Sequence, residues 1–594
     1  HMHIFVDPDP QDPERLWEER QRMFDLPRSS WMDYDQSLIS EGGGIFDRSA
    51  KSVALSPQIK ALTGLAEDHV TPNELIHALL KTDCELLWFG GIGTYIKAVH
   101  ETHADAGDRA NDYVRINAVD LKAKVIGEGA NLGVTQAGRI EAGLHKVRVN
   151  SDAIDNSAGV DSSDHEVNIK ILCTEAIRRG ELPSGERNTL LASMTDDVAQ
   201  HVLAHNYAQT GALSSAERSA RRDHDALERL MVRLEQRGVL DRQVEGLPST
   251  AEMAQFKQDG RVLTRPEIAI LMAWTKIVLF DDLVASSVPD DPYFQHTLQS
   301  YFPAALKTYS DVMQAHRLKR EIISTVLANR IIDIAGPVFM LRLREQTGAG
   351  NASIVEAFEA AYALLDAGKL RNDIDALDNQ VPAARQMALH TSLSASLARY
   401  THGILSLGQT GSIVQIITAL APNAEALGTI EIDALPAYLK AVLQRRVKHL
   451  SRDGVPAALA DQTVRSAMLS DAPLMLRLSQ ESTASPNDVT EAYIALGDSL
   501  SLDRLRAAAE QAIADMPYWD RLATRGLTRE LEGLQGEATK LALKAENISA
   551  WSQTNDGARA DLLQDLKKYA GSKPNFAQFA LATDAVRRFI QVAS

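Results

Sequence analysis

Apolar residues follow two rhythms along the chain. Before about residue 170 they come in short runs, His3–Val6, 84–89, 122–126 and 147–149, most of them ending in a turn-forming or Gly-rich stretch. Runs of that kind predict strands. Residues 72–80 place Leu75, Ile76, Leu79 and Leu80 on one face of a 3.6-residue repeat, which predicts a helix ahead of the second run. Helix, strand, loop, strand in that order predicts an α/β domain with a parallel sheet. Beyond about residue 170 the helical period takes over. Residues 311–341 show it best, through Val312, Leu318, Ile322, Ile323, Val326, Leu327 and Ile331. Residues 352–365, 436–450 and 500–516 are further predicted helices, with loops expected at 481–487 and 555–557. Thr264-Arg265-Pro266-Glu267 reads as a helix start, with Thr264 as cap and Glu267 as its capping-box partner. Gly348 and Gly350 read as a stop. No fixed repeat period is present, which argues against a solenoid.

Composition sharpens the division. Residues 1–160 hold 14 of the 35 glycines in a chain of 594 residues, so the turns concentrate where the strands are predicted. The 62 Lys and Arg against 79 Asp and Glu give a net charge of −17, a surface with no general attraction for nucleic acid or anionic membrane. Two cysteines, Cys84 and Cys173, cannot build a disulfide framework and point to a reducing cytoplasm. No apolar run approaches the roughly 18 residues that span a bilayer. His1-Met2-His3 lacks the basic start of a secretion signal. A buried strand almost at residue 1 is an unusual opening, and leads us to expect part of something longer.

Four segments could carry chemistry. Val6-Asp7 ends a strand, where a carboxylate can accept from a ribose hydroxyl and repel a 2′-phosphate; taken alone, Asp-Pro-Asp-Pro more simply ends a strand. Gly90-Gly91-Ile92-Gly93 and Gly127-Glu128-Gly129-Ala130-Asn131-Leu132-Gly133 follow predicted strands at the edge where open α/β sheets bind ligands, although either could be a plain tight turn. The polar run from Asp155 to Glu166 precedes a helix predicted at 167–177, and its N–H groups could meet a carboxylate or phosphate; the simpler reading is an N-cap run. His100-Glu101-Thr102-His103-Ala104-Asp105, with Asp108 nearby, could hold a metal, but a solvated polar segment is the more common use of such residues, and we assign no metal ligand.

Together the motifs resemble the large, NAD-specific type of bacterial glutamate dehydrogenase. The resemblance rests on Val6-Asp7-Pro8-Asp9-Pro10, Pro27-Arg28-Ser29-Ser30-Trp31, Gly42-Gly43-Gly44-Ile45-Phe46, Trp88-Phe89-Gly90-Gly91-Ile92-Gly93-Thr94-Tyr95, Gly127-Glu128-Gly129-Ala130-Asn131 and Asp155-Asn156-Ser157-Ala158-Gly159-Val160. It continues through Thr264-Arg265-Pro266-Glu267 and His316-Arg317-Leu318 to Asn329-Arg330. It implies reversible oxidative deamination of L-glutamate to 2-oxoglutarate and ammonium, with NAD as cofactor. It implies that Asp7 holds the adenine ribose, that Gly90 and Gly91 turn beside it, and that Asn131 lies near the nicotinamide ribose. Asn156 would sit near the nicotinamide and the substrate, and Ser163 would meet the substrate side-chain carboxylate. The family's catalytic lysine and aspartate and its pyrophosphate turn are expected upstream of residue 1, so no residue here is assigned as catalytic. Ala158-Gly159-Val160 and Asp164-His165 depart from the smaller enzymes of the family.

The expected architecture is α/β then all-α. Residues 1–175 would form a Rossmann-like NAD-binding domain lacking its first strand and Gly-rich loop. Residues 176–594 would form a large helical domain, open to division into two subdomains. We expect a cytoplasmic homo-oligomer with no nucleic-acid or membrane partner, and a chain inactive by itself because half the site is missing. The alternative from another class is a helical oligomerisation or regulatory module with no catalysis of its own. A metal hydrolase using His100 and His103 stands further off.

Overall fold

The computed structural model describes residues 2–408, 411–513, 515–545, 551, 554–569 and 573–593. The chain divides into two compact units, residues 1–221 with 231–274, and residues 222–230 with 275–594.

The first unit carries the strands. β1 (His3–Val6) pairs antiparallel with β2 (Gly44–Asp47), and β3 (Val53–Ala54) antiparallel with β4 (His69–Val70). β5 (Leu86–Phe89) pairs parallel with β8 (Val125–Glu128), and β6 (Ile96–Lys97) parallel with β7 (Ile116–Asn117). Parallel pairing is therefore present where it was expected, between the runs at 84–89 and 122–126. The strands described form four two-stranded sheets and not one continuous sheet. The run at 147–149 makes a single parallel bridge, Arg148 to Val125, and its Val147 and Val149 face the core beneath β5 and β8. That core also takes Phe89, Ile96, Ile116, Ile126 and Val134. A second cluster of Ile4, Val6, Val53, Leu55, Ile59, Val70 and Leu75 lies under β1 to β4.

The helix Pro72–Leu79 forms as its apolar spacing predicts. Thr71 and Glu74 close a reciprocal capping box at its start, an arrangement that contributes about 1 kcal/mol. The polar run at 155–166 is not a loop before a helix at 167. A short turn, Asp152–Asp155, leads straight into the helix Ser157–Arg178, which starts ten residues earlier than expected. The cause is distant in sequence: Asn206 Nδ2, on the long helix Thr195–Gln236, donates to Ile154 O at 2.8 Å and Ser157 Oγ at 2.9 Å and fixes that start. At 264–267 the Glu267 carboxylate accepts from Thr264 N and from its hydroxyl, both at 2.6 Å. Thr264 thus donates to Glu267 as well as leading the helix Arg265–Val284.

The second unit is helical. The stretch 311–341 is not one helix; it breaks into Ser310–Gln314, Lys319–Ala335 and Phe339–Thr347. Gly336 and Pro337 interrupt it, since proline has no N–H to continue the ladder. Gly348 stops the last piece in the left-handed conformation, φ +72°. The predicted helices appear as Asn351–Leu364, Ala437–Leu450 and Leu502–Ile513. The loop expected at 481–487 shrinks to 483–485 between Ala472–Ser482 and Pro486–Ser499, and 555–557 falls at the start of the helix Asp556–Tyr569. The helices Tyr518–Lys544 and Phe576–Val592 pack against each other around Leu531, Ala538, Phe579, Val586 and Phe589.

Among the described residues no single helix is long and apolar enough to cross a membrane; one pair, Lys319–Ala335 with Phe339–Thr347, passes by length and composition together but is bent by 88°.

Candidate functional site

Because β5 and β8 are parallel, Phe89 and Glu128 end at the same edge, and the two Gly-rich segments leave from it side by side. Gly133 O accepts from Tyr95 N at 2.9 Å, which joins the segments again beyond the edge. The glycines of the second segment are there for close packing. A Cβ at Gly127 would lie 2.4 Å from Trp88 Cε3, one at Gly129 2.4 Å from Trp88 Cζ2, and one at Gly133 2.8 Å from Phe89 Cγ. The indole of Trp88 lies across the backbone of 127–129, so this run is shaped by the aromatic side chains of β5. Gly90 and Gly91 are exposed, and a Cβ at Gly91 would meet nothing within 4 Å.

Buried ion pairs hold the second segment. Glu128, wholly buried, takes a two-pronged bond from Arg139, Nε to Oε2 at 2.7 Å and Nη2 to Oε1 at 2.9 Å. Its Oε1 also accepts from Val134 N at 3.1 Å, so one carboxylate pins both ends of 128–134. Burial pushes the Glu128 carboxyl up, against the pull of Arg139. Arg139 also meets Asp152 at 3.1 Å, and Asp152 accepts from Leu132 N at 2.9 Å. Asp155 accepts from Glu128 N at 3.1 Å and from Asn150 Nδ2 at 2.7 Å; burial pushes this carboxyl up too. Asn150 in turn accepts from Arg265 Nε at 2.9 Å. The segment around Asn131 is thereby tied to the turn that opens the helix Ser157–Arg178.

The result is a direct contact between two expected site residues. Asn156 Nδ2 donates to Asn131 Oδ1 at 2.7 Å. Asn156 is the residue that opens the helix Ser157–Arg178, and Ser163 lies seven residues on, two turns along the same face. Ser163 is exposed and its hydroxyl donates to Gly159 O at 3.1 Å. Asp7 stands apart, at the end of β1 in the neighbouring sheet. Its Oδ1 accepts from Ser40 N at 3.1 Å and from the Ser40 hydroxyl. Its Oδ2 is buried and has no hydrogen-bond partner among the described residues. The structure thus joins Asn131 to Asn156, sets Gly90 and Gly91 at the same sheet edge, and leaves Asp7 with one oxygen held and one unfilled.

His100 and His103 do not converge on a cation site. His100 is exposed, and His103 Nδ1 lies 2.9 Å from the Arg115 guanidinium, which competes with a metal for that nitrogen.

A family model described as bacterial NAD-glutamate dehydrogenase, catalytic domain, matches residues 1–216, and one described as glutamate dehydrogenase, C-terminal, matches residues 260–588. The chain belongs to the bacterial NAD-specific glutamate dehydrogenase family. The NAD-specific glutamate dehydrogenase of Pseudomonas aeruginosa is 42% identical over 552 residues, covering 92% of this chain and 34% of that protein. That of Halomonas elongata is 40% identical over 610 residues, covering all of this chain and 37% of its own length. That of Mycobacterium tuberculosis is 38% identical over 624 residues, with the same coverage. The chain therefore spans about a third of the length of these relatives.

Sequence reasoning missed the residues that position the site. Ser40 lies 33 residues from Asp7, and Arg139 and Asp152 lie 11 and 24 residues from Glu128; nothing local marks them as partners. It also missed a cluster on the helix Ser157–Arg178. Asp161 and His165 stand four apart there, and His201 and His205 four apart on the helix Thr195–Gln236. That double spacing is a readable signal, hidden when 155–166 is read as an N-cap run ahead of a helix at 167.

Proposed function

We propose that the chain serves in an NAD-dependent glutamate dehydrogenase: L-glutamate, NAD and water give 2-oxoglutarate, ammonium and NADH, reversibly. The observation that carries this reading is the Asn131–Asn156 pair, built at the carboxyl edge of a parallel strand pair in a member of this family. We assign residues 1–175 to a Rossmann-like NAD-binding region and 176–594 to a helical domain, in a cytoplasmic homo-oligomer.

The residues fit NAD. Asp7 presents a buried acceptor oxygen that lacks a donor, as a ribose hydroxyl would supply, and Ser40 fixes the other oxygen. A carboxylate there disfavours a 2′-phosphate and so selects NAD over NADP. Gly90 and Gly91, with no side chain in the way, let the backbone approach the cofactor. Asn131 and Asn156 orient the nicotinamide end, their amides locked to each other and, through Asp152 and Asp155, to the sheet. Ser163 meets the substrate side-chain carboxylate by rotating its hydroxyl away from Gly159 O. NAD, when bound, accepts the hydride from the substrate α-carbon; the protein contributes orientation and electrostatics.

Calorimetric titration of the full-length protein and of its Asn156→Ala variant with NAD and with NADP tests the assignment. NAD binds in preference to NADP, and the variant binds NAD more weakly. Equal binding of both cofactors, or none, removes the reading and leaves the alternative, a helical assembly module.

A further inference from the structure

Asp161, His165 and His205 gather outside the edge just described. One ligand atom from each lies within 4.8 Å of the other two. Asp161 Oδ2 is 2.8 Å from His205 Nδ1, and Asp161 Oδ1 is 3.8 Å from His165 Nε2. His165 is completely buried, with the His205 ring stacked at 5.8 Å and the His201 ring at 5.5 Å, centroid to centroid. So two imidazoles lie beside one carboxylate, and a third, that of His201, packs on the His165 ring. They come as two pairs, each four residues apart, on two helices; residues at that spacing share a helix face.

We infer that Asp161, His165 and His205 form a transition-metal site suited to zinc. Neutral imidazole nitrogen and carboxylate oxygen bind zinc at about 2.0–2.2 Å in a tetrahedron, which sets donors about 3.3 Å apart. The pair at 2.8 Å opens slightly to reach that spacing, and the pair at 3.8 Å closes by a fraction of an ångström. All three ligand atoms already lie within 4.8 Å of one another, so the remaining closure is at most about 1.5 Å. The ion would clamp the helix Ser157–Arg178 to the helix Thr195–Gln236. At 100° per residue, Asp161 and His165 point roughly opposite to Asn156 and Ser163 on their helix. The metal therefore braces the candidate site from behind and does not enter it, and the inference stands whether or not the chain acts on glutamate.

The test uses the whole chain, stripped with chelator and titrated with zinc against a chromophoric competitor. The same titration with cobalt reports geometry through its visible absorption. One equivalent per chain is expected, with the bands of a tetrahedral nitrogen–oxygen site. Asp161→Asn and His205→Ala, at partly exposed positions, are each expected to lose that equivalent while circular dichroism stays unchanged. His3→Ala and His103→Ala are expected to keep it. Stoichiometric binding that survives Asp161→Asn and His205→Ala together, binding lost in His103→Ala, or no retained equivalent in the parent chain would each overturn the inference.

Discussion

Removing Arg139 strikes the segment that carries Asn131. Arg139 and Glu128 are both almost completely buried, and their two-pronged bond is backed by Val134 N and Asp152. Arg139→Met keeps most of the side-chain volume and leaves two carboxylates without their cation. Breaking a buried pair from one side costs about 3–5 kcal/mol, because the remaining charge stays desolvated. That is a large share of the roughly 5–15 kcal/mol that holds a domain folded. The readout is local: hydrogen exchange of peptides spanning 125–156, where Leu132 N and Val134 N are now bonded to Asp152 and Glu128. At neutral pH the variant loses protection there by two or more orders of magnitude, since about 1.4 kcal/mol is tenfold. Adding Glu128→Gln recovers much of it by removing the stranded charge. The pH dependence has a definite sign. Burial already raises the Glu128 carboxyl, and loss of Arg139 raises it further. A carboxyl raised in the folded state binds more protons there than in the unfolded chain, so stability rises as pH falls toward the ordinary carboxylate range. Unchanged exchange in Arg139→Met, or a double variant as unprotected as the single one, would refute the idea that this pair holds the segment.

Other outcomes follow from the same geometry. Asp7→Ala removes the buried acceptor; with about 1.5–3 kcal/mol for a bond to a charged group, NAD dissociation constants rise roughly 10- to 150-fold and the preference over NADP relaxes, as equilibrium titration measures. Gly129→Ala puts a Cβ 2.4 Å from Trp88, so the indole must move; a shifted tryptophan emission and a loss of about 1–3 kcal/mol in stability are expected. In the helical unit Arg506 donates to Gln535 Oε1 at 2.7 Å and Asp503 Oδ1 at 2.5 Å, and Gln535 Nε2 donates to Tyr493 O at 2.6 Å. Arg506→Met therefore destabilises that unit by about 3 kcal/mol in urea titration, while Lys573→Met, at an exposed pair, changes it by less than about 1 kcal/mol.

Local signals were legible where local physics decides. Leu75, Ile76, Leu79 and Leu80 announced a helix because their spacing alone puts them on one face. Gly348 announced a stop because only the left-handed conformation was needed there. Signals failed where distant partners decide. Ser157 begins a helix because Asn206 reaches it across 49 residues, so a run rich in Ser and Asp, which reads as an N-cap ahead of residue 167, is already helical. Val147 and Val149 face the core as alternate strand residues do, yet the run pairs only through one bridge, Arg148 to Val125, which the local pattern does not show. Gly127 and Gly129 look like a phosphate turn, yet they make room for Trp88. Asn131 and Asn156 were each singled out through family resemblance; their mutual bond came only with the structure.

The most direct test of the proposed function is NADH formation from L-glutamate and NAD, followed in the full-length protein and in its Asn156→Ala variant. Turnover that depends on glutamate and on NAD, and that falls sharply in the variant while the fold is retained, is the expected result. Absence of glutamate-dependent NADH in the full-length protein, or a variant as active as the parent, would contradict the assignment of this edge to the cofactor and substrate.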